Sequence, residues 1–168
     1  AIDPILKSDA IEEDAISLVP SFVEDVGVEF FCDVDLIISR HNLEHIEHPS
    51  QFLEKISKAA ASAGSAKYVF VELPDVESMI KNNRIDNVFL EHMNYFSQST
   101  ITTLFHKNGF SAIKLWKNER YGGSICGIFK TSQKKVIEKT LVDVDGLRSQ
   151  LIDSYRAFNQ RCEQLRIF

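Results

Sequence analysis

Two short segments hold the residues whose types suit proton transfer or ligand binding. One contains the pair Glu44-His45, and the other contains the pair Glu91-His92 followed closely by Tyr95. An imidazole gains and loses a proton near neutral pH, and an adjacent carboxylate or phenol can orient it or stabilise developing charge. The Glu44-His45 pair could equally hold its own loop by hydrogen bonds without touching a ligand. For His92, the alternative is a structural histidine.

The sequence predicts no metal site. His41, His45 and His48 are close together, but they lack a carboxylate spacing such as that of HExxH. The three cysteines are too far apart to form a zinc clamp or a redox pair: Cys32, Cys126 and Cys162. We expect them to be reduced and mostly packed in the interior.

The elements that must position these pairs alternate between apolar strand-like runs and helical stretches, which predicts an α/β sheet. Helices are predicted over Pro49–Ala63, which stops at Gly64, and over Ser99–Lys107, which stops at Asn108-Gly109. Strands are predicted over Val28–Phe31, Asp35–Ser39, Lys67–Leu73, Phe110–Lys117 and Ser124–Lys130.

After Ser132 the pattern changes to a linker and a long amphipathic stretch, Leu147–Phe168. Its apolar stripe needs a partner surface. That surface is either the chain's own domain or an interdomain or dimer interface, and a homodimer is therefore one expectation.

Composition narrows the class of protein. The 168 residues are 44% hydrophobic and 26% charged, which suits one globular domain with a real core. The net charge of -5 with scattered basic residues argues against a nucleic-acid partner. We find neither a signal sequence nor a membrane-spanning run, so we expect a soluble cytoplasmic protein.

The segment from Asp33 to Ile46 reads DVDLIISRHNLEHI and is followed by His48-Pro49. It resembles the fourth strand and following loop of class I S-adenosylmethionine-dependent methyltransferases, where the pattern runs DLVxxxxxLEHIxxP. The resemblance implies part of a Rossmann-like, doubly wound mixed sheet with flanking helices, and S-adenosylmethionine as the cofactor.

The same resemblance implies which residues meet the cofactor. Arg40, His41 and His45 follow the strand at its carboxyl end, where such sheets bind ligands. Asp3 resembles the acidic residue that accepts hydrogen bonds from the ribose hydroxyls, although a turn or capping role is the alternative. The family's glycine-rich loop would precede Ala1. We therefore expect residues 1–131 to be the C-terminal part of a methyltransferase domain, and residues 132–168 to lead into a further region.

Two more sequence motifs indicate a particular group within this family. Residues 91–97 read EHMNYFS, and residues 122–124 read GGS. Both resemble bacterial sugar C-methyltransferases that act on nucleotide-linked keto-deoxysugars, as does the segment Glu72-Leu73-Pro74. In that group the histidine of the EH pair is the base, which implies this role for His92.

The role makes chemical sense because carbon methylation beside a ketone requires removal of an α-proton. Glu91 or Tyr95 would then orient the base or stabilise the enolate. The alternative for Tyr95 is that of an ordinary packing aromatic.

The resemblance also implies that Gly122, Gly123 and Ser124 leave room for substrate beside a late strand. A purely backbone role in a tight turn is the alternative for the glycines, and both roles can coexist. For the whole chain, the alternative functions are a small-molecule O-methyltransferase and a non-catalytic methyltransferase-like binding module.

Overall fold

A computed structural model of the chain describes residues 1–5, 18–84, 88, 90–132 and 144–165. A 3-10 helix, Val28–Phe31, precedes the first strand. The strands are β1 (Leu36–Arg40), β2 (Tyr68–Pro74), β3 (Phe110–Asn118) and β4 (Ser124–Thr131), and the helices are α1 (Pro49–Ala63), α2 (Val76–Lys81), α3 (Gln98–Lys107) and α4 (Val144–Leu165).

The four strands form one mixed sheet in the order β1-β2-β4-β3. β1 and β2 run parallel through the crossover helix α1, whereas β4 runs antiparallel between β2 and β3. Pro74 at the end of β2 pairs with Ser124 at the start of β4, and Arg40 at the end of β1 pairs with Glu72. Three segments therefore meet at one edge of the sheet, which we call the carboxyl edge.

The core lies where α1 and α3 pack against the sheet. Helix α1 begins with Pro49, whose ring suits the first helical turn, and ends at Gly64 with a φ of 63°. Helix α3 begins with a capping box in which Ser97 and Thr100 satisfy each other's backbone N–H groups. Phe105 of α3 stacks on Phe129 of β4 with ring centroids 3.8 Å apart.

The predicted fold class is confirmed, with four of the five predicted strands and both predicted short helices present. The predicted strand at Val28–Phe31 is wrong, because this segment is a 3-10 helix. Its β-branched and aromatic residues suggest a strand, but the turn lets Phe31 enter the core. There its ring packs edge-on against Phe52 of α1, with centroids 6.1 Å apart.

Helix α2 was not predicted, and the long C-terminal helix is present as α4. Ser154 of α4 is buried and donates a hydrogen bond to the carbonyl of Ile80 in α2. The predicted linker lies largely outside the described residues, and the homodimer stays a prediction. Within the described ranges, no helix is both long and apolar enough to cross a membrane.

Candidate active site

The loop that follows β1 turns sharply at the carboxyl edge. His41 has a φ of 47°, which is uncommon for a residue other than glycine, and its backbone N–H donates to the carbonyl of Glu72 at 2.8 Å. Beside it, Nε of Arg40 lies 2.7 Å from Oε2 of the buried Glu72. These contacts tie the start of the loop to β2.

A second loop, residues 91–97, is fastened to the first by three hydrogen bonds. The Asn94 backbone N–H donates to the carbonyl of Glu44 at 3.0 Å, and the Asn94 side-chain amide donates to the carbonyl of Ile46 at 2.6 Å. Nδ1 of His45 lies 2.8 Å from the carbonyl oxygen of Glu91. Two segments 46 residues apart are thereby held together.

This arrangement brings residues of both glutamate-histidine pairs into one group. The imidazoles of His45 and His92 meet edge-on with centroids 4.8 Å apart, and the ring of Tyr95 lies 6.1 Å from that of His92. A carboxylate oxygen of Glu44 lies within 4.8 Å of a ring nitrogen of each histidine, and only 2% of the surface of Glu44 is exposed. We call Glu44, His45 and His92 the histidine cluster. His41 borders it, with Nδ1 3.5 Å from Oε1 of Glu44.

The histidine cluster adjoins a cleft of about 760 Å³ along β1. His45 and the exposed Glu91 line the cleft, together with Ser39 and Asn42. Its volume lies within the range of about 300–1,000 Å³ that is usual for small-molecule sites. The remaining lining is mostly apolar, as is typical of a pocket that binds a cofactor.

Asp3 lies at the rim of this cleft. Its neighbours Ile2 and Pro4 line the cleft, while the exposed Asp3 carboxylate accepts a hydrogen bond from the backbone N–H of Ile5 at 2.8 Å. The residue thus occupies a local turn in this structure. Its predicted contact with the ribose hydroxyls stays a prediction.

The predicted substrate segment forms a tight turn at the same edge. Gly122 and Gly123 have φ values of 85° and 111°, which favour glycine. A Cβ on Gly123 would lie 2.4 Å from Cβ of Ser78 in α2. Ser124 is buried and donates its hydroxyl hydrogen to the carbonyl of Arg120. The backbone role is therefore evident, and the substrate role stays a prediction.

Asp75 is a buried residue at the carboxyl edge that the sequence reasoning missed. Its carboxylate caps α2 through the backbone N–H of Glu77, accepts a hydrogen bond from Ser78 Oγ at 2.7 Å, and lies 2.7 Å from Nζ of Lys117. Its own N–H donates to the carbonyl of Gly123 at 3.0 Å. An Asp immediately before a helical turn with an early Glu is a capping signal that could have revealed it.

Two pKa values are displaced in this part of the sheet. Burial would lower the pKa of Lys117, but hydrogen bonds to Asp75 and Glu77 and their negative charges raise it overall. Burial raises the pKa of the Cys126 thiol, and the charge of Glu72 adds to this rise while Arg40 opposes it. Cys126 is thus a packed thiol rather than a reactive thiolate.

Comparison with known proteins identifies the class. A family model described as a methyltransferase domain matches residues 10–115, which include β1, α1, β2, α2 and α3. The chain belongs to this family. This confirms the predicted class I methyltransferase, and S-adenosylmethionine is its cofactor.

Among individual proteins, the chain is similar to the C-methyltransferase NovU of Streptomyces niveus. The two are 30% identical over 129 residues, a match that covers 74% of this chain and 30% of NovU. The chain thus spans less than a third of the length of that relative.

Two solved structures of the magnesium protoporphyrin IX methyltransferase ChlM from Synechocystis PCC 6803 are also similar. The structure with bound SAH has a TM-score of 0.49 at 15% identity and covers 69% of this chain and 51% of ChlM. The structure with bound SAM has a TM-score of 0.46 at 13% identity and covers 69% and 46%.

Proposed function

We propose that the protein carrying this chain methylates a carbon atom next to the ketone of a nucleotide-linked keto-deoxysugar, with His92 as the base. The observation that carries the proposal is the packing of His92 against His45 at the carboxyl edge, beside the cleft. Two motif segments of the resembling family, distant in sequence, thereby share one site.

The cleft has polar groups that suit the cofactor. The Ser39 hydroxyl is buried, and it has no hydrogen-bond partner among the described residues. A buried hydroxyl of this kind favours a polar ligand. Ser39, Asn42 and His45 would hold S-adenosylmethionine, with Asp3 at the ribose. When bound, this cofactor supplies the methyl group.

His92 performs the proton transfer in this proposal. Its neutral imidazole takes the α-proton, and the electron pair of the broken C–H bond forms the enolate that accepts the methyl group on carbon. Tyr95, 6.1 Å away between ring centroids, stabilises the negative charge that builds on the enolate oxygen. Glu91 acts through its backbone, because its carbonyl oxygen holds the ring of His45.

Carbon rather than oxygen as the acceptor is supported by two observations. The relative NovU is named a C-methyltransferase. Methylation of a hydroxyl does not require removal of a carbon-bound proton. The site presents two adjacent imidazoles and a phenol, which suit such a removal. The keto-sugar class rests on the resemblance of residues 91–97 and 122–124 to sugar C-methyltransferases.

The base role can be tested apart from methyl transfer. With S-adenosylhomocysteine in place of the methyl donor, the protein should exchange the α-proton of a nucleotide-linked keto-deoxysugar for deuterium in D₂O, as followed by NMR. Loss of a general base reduces such rates about 10²–10⁴-fold, which is the expectation for His92→Ala. His48→Ala is the matched control, because that imidazole is 61% exposed and lies outside the histidine cluster.

Affinity for S-adenosylhomocysteine, measured by calorimetry, should be the same in both variants. An unchanged exchange rate in His92→Ala would refute the base role. A product methylated on oxygen, formed without any exchange of a carbon-bound proton, would refute carbon methylation.

A further inference from the structure

We infer that the histidine cluster binds a divalent transition-metal ion of the Zn²⁺ class, and that this ion and the α-proton compete for His92. The binding part is independent of the proposed function, whereas the competition rests on it. Spacing along the sequence does not indicate this site. The cluster is instead assembled from two loops.

The ligand atoms are already close. One ligand atom each of Glu44, His45 and His92 lies within 4.8 Å of the others. Bonds of about 2.0–2.2 Å from Zn²⁺ to nitrogen and oxygen place tetrahedral ligands about 3.4 Å apart. The ligand atoms would therefore have to approach one another by roughly 1 Å to bind a single ion.

The hydrogen bond of His45 fixes the ring in a tautomer that can bind a metal ion. A carbonyl oxygen only accepts, so the hydrogen bond between His45 and Glu91 places the proton on Nδ1. In the neutral ring Nε2 then carries the lone pair. Histidine ligands commonly donate their other N–H to a backbone carbonyl in this way, which fixes both the tautomer and the ring orientation.

Glu44 provides an independent argument. Its carboxylate is almost completely buried, and neither oxygen makes a hydrogen bond with the described residues. The carboxylate lies 3.5 Å from Nδ1 of His41, which is a long contact for an ion pair. A buried carboxylate without hydrogen bonds is costly, and a bound cation would offset that cost.

The donor set selects the class of ion. Two imidazoles and one carboxylate suit Zn²⁺ and related transition metals, whereas Mg²⁺ and Ca²⁺ prefer oxygen ligands alone. A neutral imidazole has one ring nitrogen with an available lone pair. His92 can therefore hold either the metal ion or the abstracted proton, and a bound ion would stop proton abstraction.

Metal binding can be measured by adding Co²⁺ to the chelator-treated protein. The visible absorption of Co²⁺ depends on the geometry of its ligands. We expect saturable absorption bands from one site and displacement by Zn²⁺. His92→Ala and Glu44→Gln should each weaken Co²⁺ binding at least tenfold, while His48→Ala should bind as the unaltered protein does. If Glu44→Gln unfolds, His92→Ala alone decides, because His92 is only half-buried. Equal Co²⁺ affinity in all the folded variants, or no binding to the unaltered protein, would overturn the proposal.

The α-proton exchange assay separates this inference from the proposed function. We expect Zn²⁺ to suppress exchange and a chelator to restore it. Exchange that continues in protein saturated with Zn²⁺ would overturn the competition. If Co²⁺ binds the cluster but the metal-free protein shows no exchange, the metal site stands and the base role falls. If exchange occurs and Co²⁺ does not bind, the base role stands and the metal site falls.

Discussion

Replacing Asp75 with Ala should destabilise the protein strongly, because this fully buried side chain joins α2 to β3. Loss of the helix cap costs about 1 kcal/mol, and loss of the acceptor for Ser78 Oγ costs about 1 kcal/mol more. In this variant Lys117 still pairs with Glu77 at 2.8 Å, and its side chain is 41% exposed. Loss of the ion pair between Lys117 and Asp75 therefore adds at most about 1 kcal/mol. We expect the free energy of unfolding to fall by about 3 kcal/mol.

The measurement is urea-induced unfolding followed by circular dichroism. Asp75→Asn should lose about 1 kcal/mol only, because its amide oxygen can still cap α2 while the charge beside Lys117 is removed. Asp153→Ala is the control, since its ion pair with Arg156 is exposed and should contribute nothing measurable. A loss of less than 1 kcal/mol in Asp75→Ala would refute the assigned contacts.

Three further predictions concern the same edge. Gly123→Ala should lower the free energy of unfolding by about 3 kcal/mol, because of backbone strain and overpacking. Gly64→Ala, with open space around its Cβ, should lower it by about 1 kcal/mol. Similar losses for the two variants in urea unfolding would contradict this prediction. Asn94→Ala should lower the free energy of unfolding by about 1 kcal/mol. It should also slow α-proton exchange more than it weakens the binding of S-adenosylhomocysteine. An unchanged exchange rate would exclude a positioning role for Asn94. Because the folded pKa of Lys117 is raised, its stabilisation is complete below the ordinary value of 10.5 and disappears as pH rises through the folded value. The stability gap between the protein and Lys117→Gln should therefore shrink above pH 10.5, and a constant gap would refute the pairing.

The elements that the sequence predicted correctly are those with a long pattern and a clear end. Helix α1 has a proline at its start, a regular apolar face and a terminal glycine, and β2 and β4 consist mostly of apolar residues. The segment Val28–Phe31 misled because four residues cannot distinguish periods of 2 and 3.6. Helix α2 was missed for the same reason, since its six residues complete fewer than two turns.

The candidate site was predictable in its parts but not in its assembly. The sequence motifs contained both glutamate-histidine pairs, and the sheet topology placed the loop after β1 at the carboxyl edge. No pattern indicated that Asn94 would fasten residues 91–97 to that loop, because hydrogen bonds to carbonyls leave no mark on residue spacing. The ion pairs of Arg40 with Glu72 and of Asp75 with Lys117 also depend on strand pairing, which is non-local.

The extent of the family match explains why the cofactor is better defined than the substrate. Residues 10–115 include β1, its loop and most of the residues that line the adjoining cleft, and they end within β3. The Gly122-Gly123 turn comes after that range, at the same edge of the sheet. A shared fold fixes where a ligand can bind, whereas the side chains around the reacting atoms fix the chemistry. We therefore expect the residues that flank His92 and this turn to select the methyl acceptor. Variants at these positions should change acceptor preference before they change cofactor affinity.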